Sequence, residues 1–211
     1  GNGHTVQNLK EVKIKGSEQI FSGSLTDIQF APSVECSLSI TEDFINTLGS
    51  IEQLCSIDPP KAGELVHNFA KYLRGNFGEL DNPKPIRMSQ EMEHVRHYIS
   101  IENVRFPDMT FSFEMRSEDF SLPALTIQPI VENAIKHGLM KLQKGGSIRV
   151  ISYETDTDYC VSVEDDGVGF DTSALIDERK HVGLRNIRER LKVMVNGSTI
   201  GLPSASSPTL P

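Results

Sequence analysis

The chain has 211 residues, 37% of them hydrophobic, and a formal net charge of −8. That is enough apolar material for one large or two modest cores without staples. An isoelectric point near 5.3 argues against a nucleic-acid surface, which needs concentrated Lys and Arg. Cys36, Cys55 and Cys160 include no Cys-x-x-Cys or Cys/His metal spacing; they read as small buried apolar residues in a reducing compartment.

No apolar run approaches the roughly 18 to 20 residues of a membrane helix, and no signal peptide is visible. The chain opens Gly-Asn-Gly rather than with Met and reads as a piece of something longer. In residues 1–37, Val12 and Ile14 alternate with Lys13 and Lys15, and Ile20 to Ile28 has the pattern of a strand pair. A linker or stray strand is expected there, or the remnant of an upstream sensor domain, since Gly23 to Ile28 (GSLTDI) resembles the end of a PAS domain.

A helix is expected from Thr41. Thr41 can cap it, Glu42 and Asp43 suit its positive end, and Phe44, Leu48, Ile51 and Cys55 form a seam. Asp58 then caps a second helix with Pro59 in first position. Its apolar set is Ala62, Leu65, Val66, Phe69, Ala70 and Leu73. Two such helices pair as an antiparallel hairpin with one face of each left over, and a two-fold dimer forming a four-helix bundle buries those faces.

After a proline-punctuated loop from Asp81 to Pro85, Ser89 is placed as the cap of a third helix. Its apolar positions include Met92, Val95, Tyr98, Ile99 and Ile101, and its charged residues read as a solvated face. Met109 to Met115 alternates as a strand. Ser147 to Tyr153 and Tyr159 to Val163 read as a hairpin around the turn-forming Glu154 to Asp158.

Three blocks stand out. In the first, Gln128 to Gly138 (QPIVENAIKHG), Ile127, Ile130, Val131, Ala134 and Ile135 mark one face of a helix ended by Gly138. Glu132, Asn133, Lys136 and His137 lie within about one and a half turns of each other, so a carboxylate, an amide and cations can converge on a phosphate-bound metal. In the second, Val163 to Phe170 (VEDDGVGF), Asp165 at a strand end can accept a hydrogen bond from the exocyclic amine of adenine, and Gly167 and Gly169 let the backbone approach the ring. The third, His181 to Leu191 (HVGLRNIRERL), places Gly183 before an amphipathic helix carrying Leu184, Ile187 and Leu191, whose start favours anions. Singly these are a surface helix, a turn and a helix start. Their order and spacing together read as an adenine-nucleotide pocket.

In that combination the sequence resembles the GHKL ATPase superfamily, and more closely the LytS-type sensor histidine kinases. The blocks look like the N box and two glycine boxes. Asn46 to Phe77 resembles the family's dimerisation and phosphotransfer hairpin, and Glu91 to Phe106 its connection into the catalytic domain. The resemblance covers Ile40 to Met194. It implies an α+β fold: a helical hairpin at 38–80, then a Bergerat α/β-sandwich ATP-binding domain at 81–211.

The resemblance also implies Mg²⁺ and ATP as cofactors, a homodimer, a response-regulator partner, and a cytoplasmic place, alone or as part of a membrane-bound sensor. By this likeness Asn133, with Glu132, holds Mg²⁺ and Asp165 reads adenine. Gly167 and Gly169 shape the floor, and Gly183, Leu184 and Asn186 lie along the phosphates. Lys136 and His137 contact phosphates, and Glu132 assists the metal or acts as base. Residues 171–180 correspond to a mobile lid.

Two departures matter. Ile40 to Asn46 (ITEDFIN) carries no histidine where the family has its phosphoacceptor; Asp43 holds that position if one residue is lost, Glu42 if none is. An isolated carboxylate gives an acyl phosphate, not a phosphohistidine. The second is the proline-rich end after Asn196, which lacks the pattern of a closing strand. It predicts an exposed sheet edge and a weaker pocket.

Overall fold

The computed structural model of the protein describes residues 8–15, 34–81, 85–142, 145–168, 187, 191 and 199–201. Its architecture is mixed α+β. Helix α1 (Val34–Ile57) begins earlier than the expected Thr41, and α2 (Pro59–Asp81) follows after one residue. Asp58 makes that sharp reversal possible: its Oδ1 accepts the Lys61 N–H at 3.2 Å, satisfying a donor the helix start would otherwise leave unpaired.

The two helices lie side by side. Phe44 meets Phe69 with ring centroids 5.2 Å apart, and a small core forms from Leu65, Phe69 and Ile101 with Ile51, Leu54 and Leu73 against it. The expected seams are only partly buried within this chain. Ala62 and Leu65 are buried, whereas Phe44, Leu48 and Val66 are 40%, 47% and 48% exposed and Ile45 is 63% exposed. Cys55 is exposed as well, against the expectation for all three cysteines, while Cys160 is buried as expected.

The strand β2 (Pro85–Arg87) pairs antiparallel with β4 (Ser121–Pro123) and leads into α3 (Met88–Arg105). Ser89 is not the cap of α3. The helix starts at Met88 without any side-chain cap, and the Met88 N–H donates to the Phe120 carbonyl at 3.0 Å instead. The charged residues of α3 are not simply a solvated face either. Glu91 and Glu102 are fully buried, and the Arg96 guanidinium stands 4.4 Å from the centre of the Phe113 ring.

The main sheet runs in the order β3 (Thr110–Met115), β5 (Ser147–Glu154), β6 (Asp158–Asp165), β1 (Asn8–Lys15) and β7 (Thr199–Gly201). β3 and β5 are parallel; β5–β6, β6–β1 and β1–β7 are antiparallel. The hairpin expected at 147–163 is therefore present, and its strands extend to Glu154 and Asp165.

The stretch after Asn196 does supply a strand, contrary to the expectation that it would not. β1 pairs with β6 along its whole length, Asn8 opposite Asp165 through Lys15 opposite Asp158, and β7 from the C-terminal stretch pairs outside β1. Val12 faces Val161 on one side and Ile200 on the other and is 1% exposed. The alternation of Val12 and Ile14 thus belongs to a sheet strand. The pattern from Ile20 to Ile28 lies outside the described residues.

One core joins the sheet to the helices. Met92, Val95 and Tyr98 of α3 pack with Ile127, Ile130 and Val131, with Ile148, Val150, Val161 and Val163 of the central strands, and with Ile187 and Leu191. Ile187 and Leu191, four apart, are both fully buried, as expected for one stripe of the third block's helix.

Candidate nucleotide site

The first block folds as an α-helix only at its start. α4 (Gln128–Asn133) continues as a π turn over Ala134–Gly138 and a 3-10 turn over Leu139–Lys141, so Gly138 does not end the helical run. Its apolar stripe is as expected: Ile127, Ile130, Val131, Ala134 and Ile135 are all buried. The extra residue per turn places Lys136 and His137 in the wide turn; such turns recur at functional sites.

What Gly138 does is allow a close approach. A Cβ on Gly138 would stand 2.8 Å from Asp165 Oδ1, and a Cβ on Gly167 would stand 2.5 Å from Gly138 Cα. At Gly167 only hydrogen fits, whereas at Gly138 a Cβ would have to push the Asp165 carboxylate aside. The Val168 N–H points to the Gly138 carbonyl at 3.4 Å, so the second block lies against the end of the first.

Asp165, at the end of β6, is 5% exposed, and its Oδ1 accepts the Gly167 N–H at 3.0 Å. Its neighbour Asp166 turns to the sheet, accepting the Ser147 N–H at 2.7 Å and the Ser147 hydroxyl at 2.8 Å. One aspartate of the pair therefore fixes the strand end, and the other is left at the junction of the two blocks.

Glu132 is half-buried and accepts from Gln128 Nε2 at 2.8 Å; the same amide nitrogen donates to Asn76 Oδ1 of α2 at 3.0 Å. Burial raises the Glu132 pKa above the ordinary value, with the Gln128 hydrogen bond and the Lys136 charge opposing it. Asn133 is half-buried at the last position of α4, and His137 is exposed. Among the described residues no three His, Cys, Asp or Glu side chains form a metal cluster. Magnesium held through one or two protein oxygens and substrate phosphates requires none.

Lys136 Nζ lies 2.5 Å from Asp43 Oδ2 of α1, both side chains being 21% exposed. The residue at one of the two acceptor positions thus sits on the first block. Glu42 also lies in α1, but its side chain is outside the described residues, as are Gly169, Gly183, Leu184 and Asn186. Residues 171–180, the expected lid, are outside them too.

Beside Asp43, an apolar recess between the three long helices is lined by Phe44, Phe69, Tyr72, Tyr98 and Glu102. It belongs to the helical unit, not to the junction of the two blocks. His97 bonds Asn68 at 3.3 Å and the His94 ring packs 3.2 Å from where a Gly75 Cβ would be, which makes both packing residues.

Sequence reasoning missed Glu91. Its carboxylate accepts the backbone N–H groups of Leu125 at 2.9 Å, Ile127 at 2.7 Å and Gln128 at 3.1 Å. A signal was available: Glu91 stands three after Met88 and four before Val95, a charge on the apolar stripe of its own helix.

The sequence profile described as Histidine kinase matches residues 40–110, from α1 through α3 to the start of β3. The sensor histidine kinase YpdA of Escherichia coli (strain K12) is 31% identical over 159 residues, 71% of this chain and 28% of that protein. The sensor protein LytS of Staphylococcus haemolyticus is 29% identical over 160 residues, 70% of this chain and 27% of that one.

Over about 70% of its length the chain is similar to sensor histidine kinases of the LytS type.

The chain is also similar to the uncharacterized protein YwpD of Bacillus subtilis (strain 168), 36% identical over 155 residues, 70% of the chain and 56% of YwpD. It therefore spans between about a quarter and just over half the length of these three relatives. The matched profile includes Asp43, Asn76 and Glu91, which reach from the three long helices to the first block. No described helix is long and apolar enough to cross a membrane.

Proposed function

We propose that this chain is the nucleotide-binding core of a two-component sensor kinase, taking Mg²⁺-ATP at the junction of the first and second blocks. The observation that carries the proposal is the contact of Gly138 with Asp165 and Gly167, so close that a Cβ on Gly167 would meet Gly138 Cα at 2.5 Å. It puts two distant sequence blocks in one place. The donor set suits the ligand: a buried carboxylate for the adenine amine, an amide and a carboxylate for Mg²⁺, and a lysine for phosphate.

In this reading Asp165 holds adenine, Gly167 and Gly169 shape the floor, and Asn133 with Glu132 holds the metal. Lys136, His137 and the Gly183 turn, with Leu184 and Asn186, follow the phosphates. Bound Mg²⁺ would neutralise charge on the β- and γ-phosphates, and positioning by these residues would supply the rest. The domain division at 38–80 and 81–211, the GHKL sandwich, and a response-regulator partner belong to the same proposal.

So does the dimer. Exposed Ile45, Leu48 and Val66 on the hairpin are the apolar surface that a four-helix bundle would bury. A cytoplasmic location, alone or within a membrane-bound sensor, follows from the same likeness.

A second reading has a specific observation in its favour. No histidine stands at either acceptor position, Asp43 or Glu42, and Asp43 pairs with Lys136, which fits an ATP-binding dimeric scaffold without autokinase activity. Incubation with γ-labelled ATP and Mg²⁺ separates the two. Acid-labile, base-stable label on histidine supports phosphotransfer by this chain, and binding without label supports the scaffold. In either case Asp165→Asn should abolish nucleotide binding and leave the oligomeric state intact; unchanged affinity would remove the pocket assignment.

A further inference from the structure

We infer that Glu91 is a positioning residue for the magnesium and phosphate half of the nucleotide site, acting through the start of α4. The inference rests on the nucleotide reading above. Glu91 comes from α3 and is fully buried, and its two oxygens take three backbone N–H groups at 2.7 to 3.1 Å. Those donors include Ile127, at the cap position of α4, and Gln128, its first residue. Helix-start N–H groups have no partner within their own helix.

No local side chain caps α4: Ile127 makes no side-chain cap bond. The approach is also unusual, because Leu125 adopts φ of 56°, a left-handed backbone that a residue with a side chain rarely takes. The Leu125 N–H is one of the three that Glu91 holds. A single carboxylate from another helix therefore fixes both the strained entry and the first turn.

Geometry carries this to the site. At about 1.5 Å of rise per residue, Asn133 lies only about 7.5 Å along the axis from Gln128, so the start of the helix sets the place of its end. Glu132, Asn133, Lys136 and His137 all hang from that short run. Asp165 does not: it is fixed by β6 in register with Ile148 and Asn8. Loss of the Glu91 carboxylate should displace the metal and phosphate residues and leave the adenine residue in place.

The test compares Mg²⁺-ATP with adenosine, titrated calorimetrically against the parent chain and Glu91→Gln. The amide keeps the size but puts an NH2 donor in place of one of the two oxygens that accept the three N–H groups. Expected is a loss of Mg²⁺-ATP affinity of about tenfold or more, unchanged adenosine affinity, and shifted amide resonances for Leu125, Ile127 and Gln128 and for 132–137. Equal weakening of both ligands means a general structural role and overturns the inference, as does no change in either.

Should the parent bind neither ligand, the nucleotide reading falls by itself. The resonances of 132–137 then decide: unmoved, they overturn a positioning role; shifted with those of β6 unmoved, they sustain it. Glu91→Asp, which keeps the charge on a shorter arm, should show the same split to a smaller degree. If neither variant folds cooperatively, Glu91 serves the fold rather than the site and the inference is overturned.

Discussion

Gly138 and Gly167 touch each other, yet alanine at the two positions should have different consequences. At Gly167 the new Cβ would meet Gly138 Cα at 2.5 Å and its carbonyl carbon at 2.6 Å. Both are backbone, so the two blocks must separate. Overpacking of this kind costs about 1–3 kcal/mol, offset by about 0.4–1 kcal/mol from a stiffer unfolded chain. A net loss of about 1–2 kcal/mol is expected.

At Gly138 the nearest atom is Asp165 Oδ1 at 2.8 Å, the end of a side chain, and the next are at 3.5 and 3.6 Å. The backbone there is right-handed helical, φ −94° and ψ −71°, where alanine gains about 1 kcal/mol of helix propensity. Stability should hardly change. The Asp165 carboxylate must swing away, however, giving up the Gly167 N–H, so nucleotide affinity should fall. Urea midpoints at constant m-value measure the first quantity and ATP titration the second. Equal stability losses in the two variants, or parental ATP affinity in Gly138→Ala, would refute the contact as described.

Two further outcomes are expected. Val12→Ala should destabilise by about 2 kcal/mol, from two lost methyl groups and the space they leave in the sheet; a urea-midpoint change worth less than about 0.5 kcal/mol would mean that β1 does not lie between β6 and β7. Burial raises the Glu132 pKa, so the native state binds that proton more readily than the unfolded chain does. This group's contribution to stability must then decline as pH rises from the ordinary value of 4.5 through its folded value, and stay reduced above it. Glu132→Gln should accordingly gain on the parent with rising pH in that window, read from urea midpoints at a series of pH values, and an opposite trend would sink the assignment.

Helices and the central hairpin were legible because their signals are local. Asp58-Pro59 announces the start of α2, and the apolar stripe from Ile127 to Ile135 announces a buried helix. The π turn was not legible, since nothing in Ala134 to Gly138 forbids ordinary helix; the close approach of Gly138 to the β6 end is a tertiary demand. The place of β1 was hidden for a related reason. Val12 and Ile14 show a strand, but an alternating pattern does not say which edge the strand will join. Of the candidate site, Asp165, Gly167 and the 132–137 run were singled out by type and spacing. Glu91 was overlooked because charge on a helix is ordinarily solvated, although its position on the apolar stripe marks it as buried.

The acceptor position can be decided by restoring the missing group. Asp43 lies against Lys136 in a pair whose side chains are both 21% exposed, so breaking it should cost about 0–1 kcal/mol and leave the fold intact. In Asp43→His the nearby ammonium disfavours the imidazolium, which keeps a ring nitrogen unprotonated and able to attack phosphorus. Lys136 is at the same time released from its carboxylate. The variant should therefore acquire an acid-labile, base-stable label from γ-labelled Mg²⁺-ATP that the parent lacks. Glu42→His is the control: successive helical residues point about 100° apart, so only one of the two positions can face the first block as Asp43 does. Label on Glu42→His but not on Asp43→His would show that the ungapped alignment is right and that the Asp43 contact with Lys136 has no part in phosphotransfer.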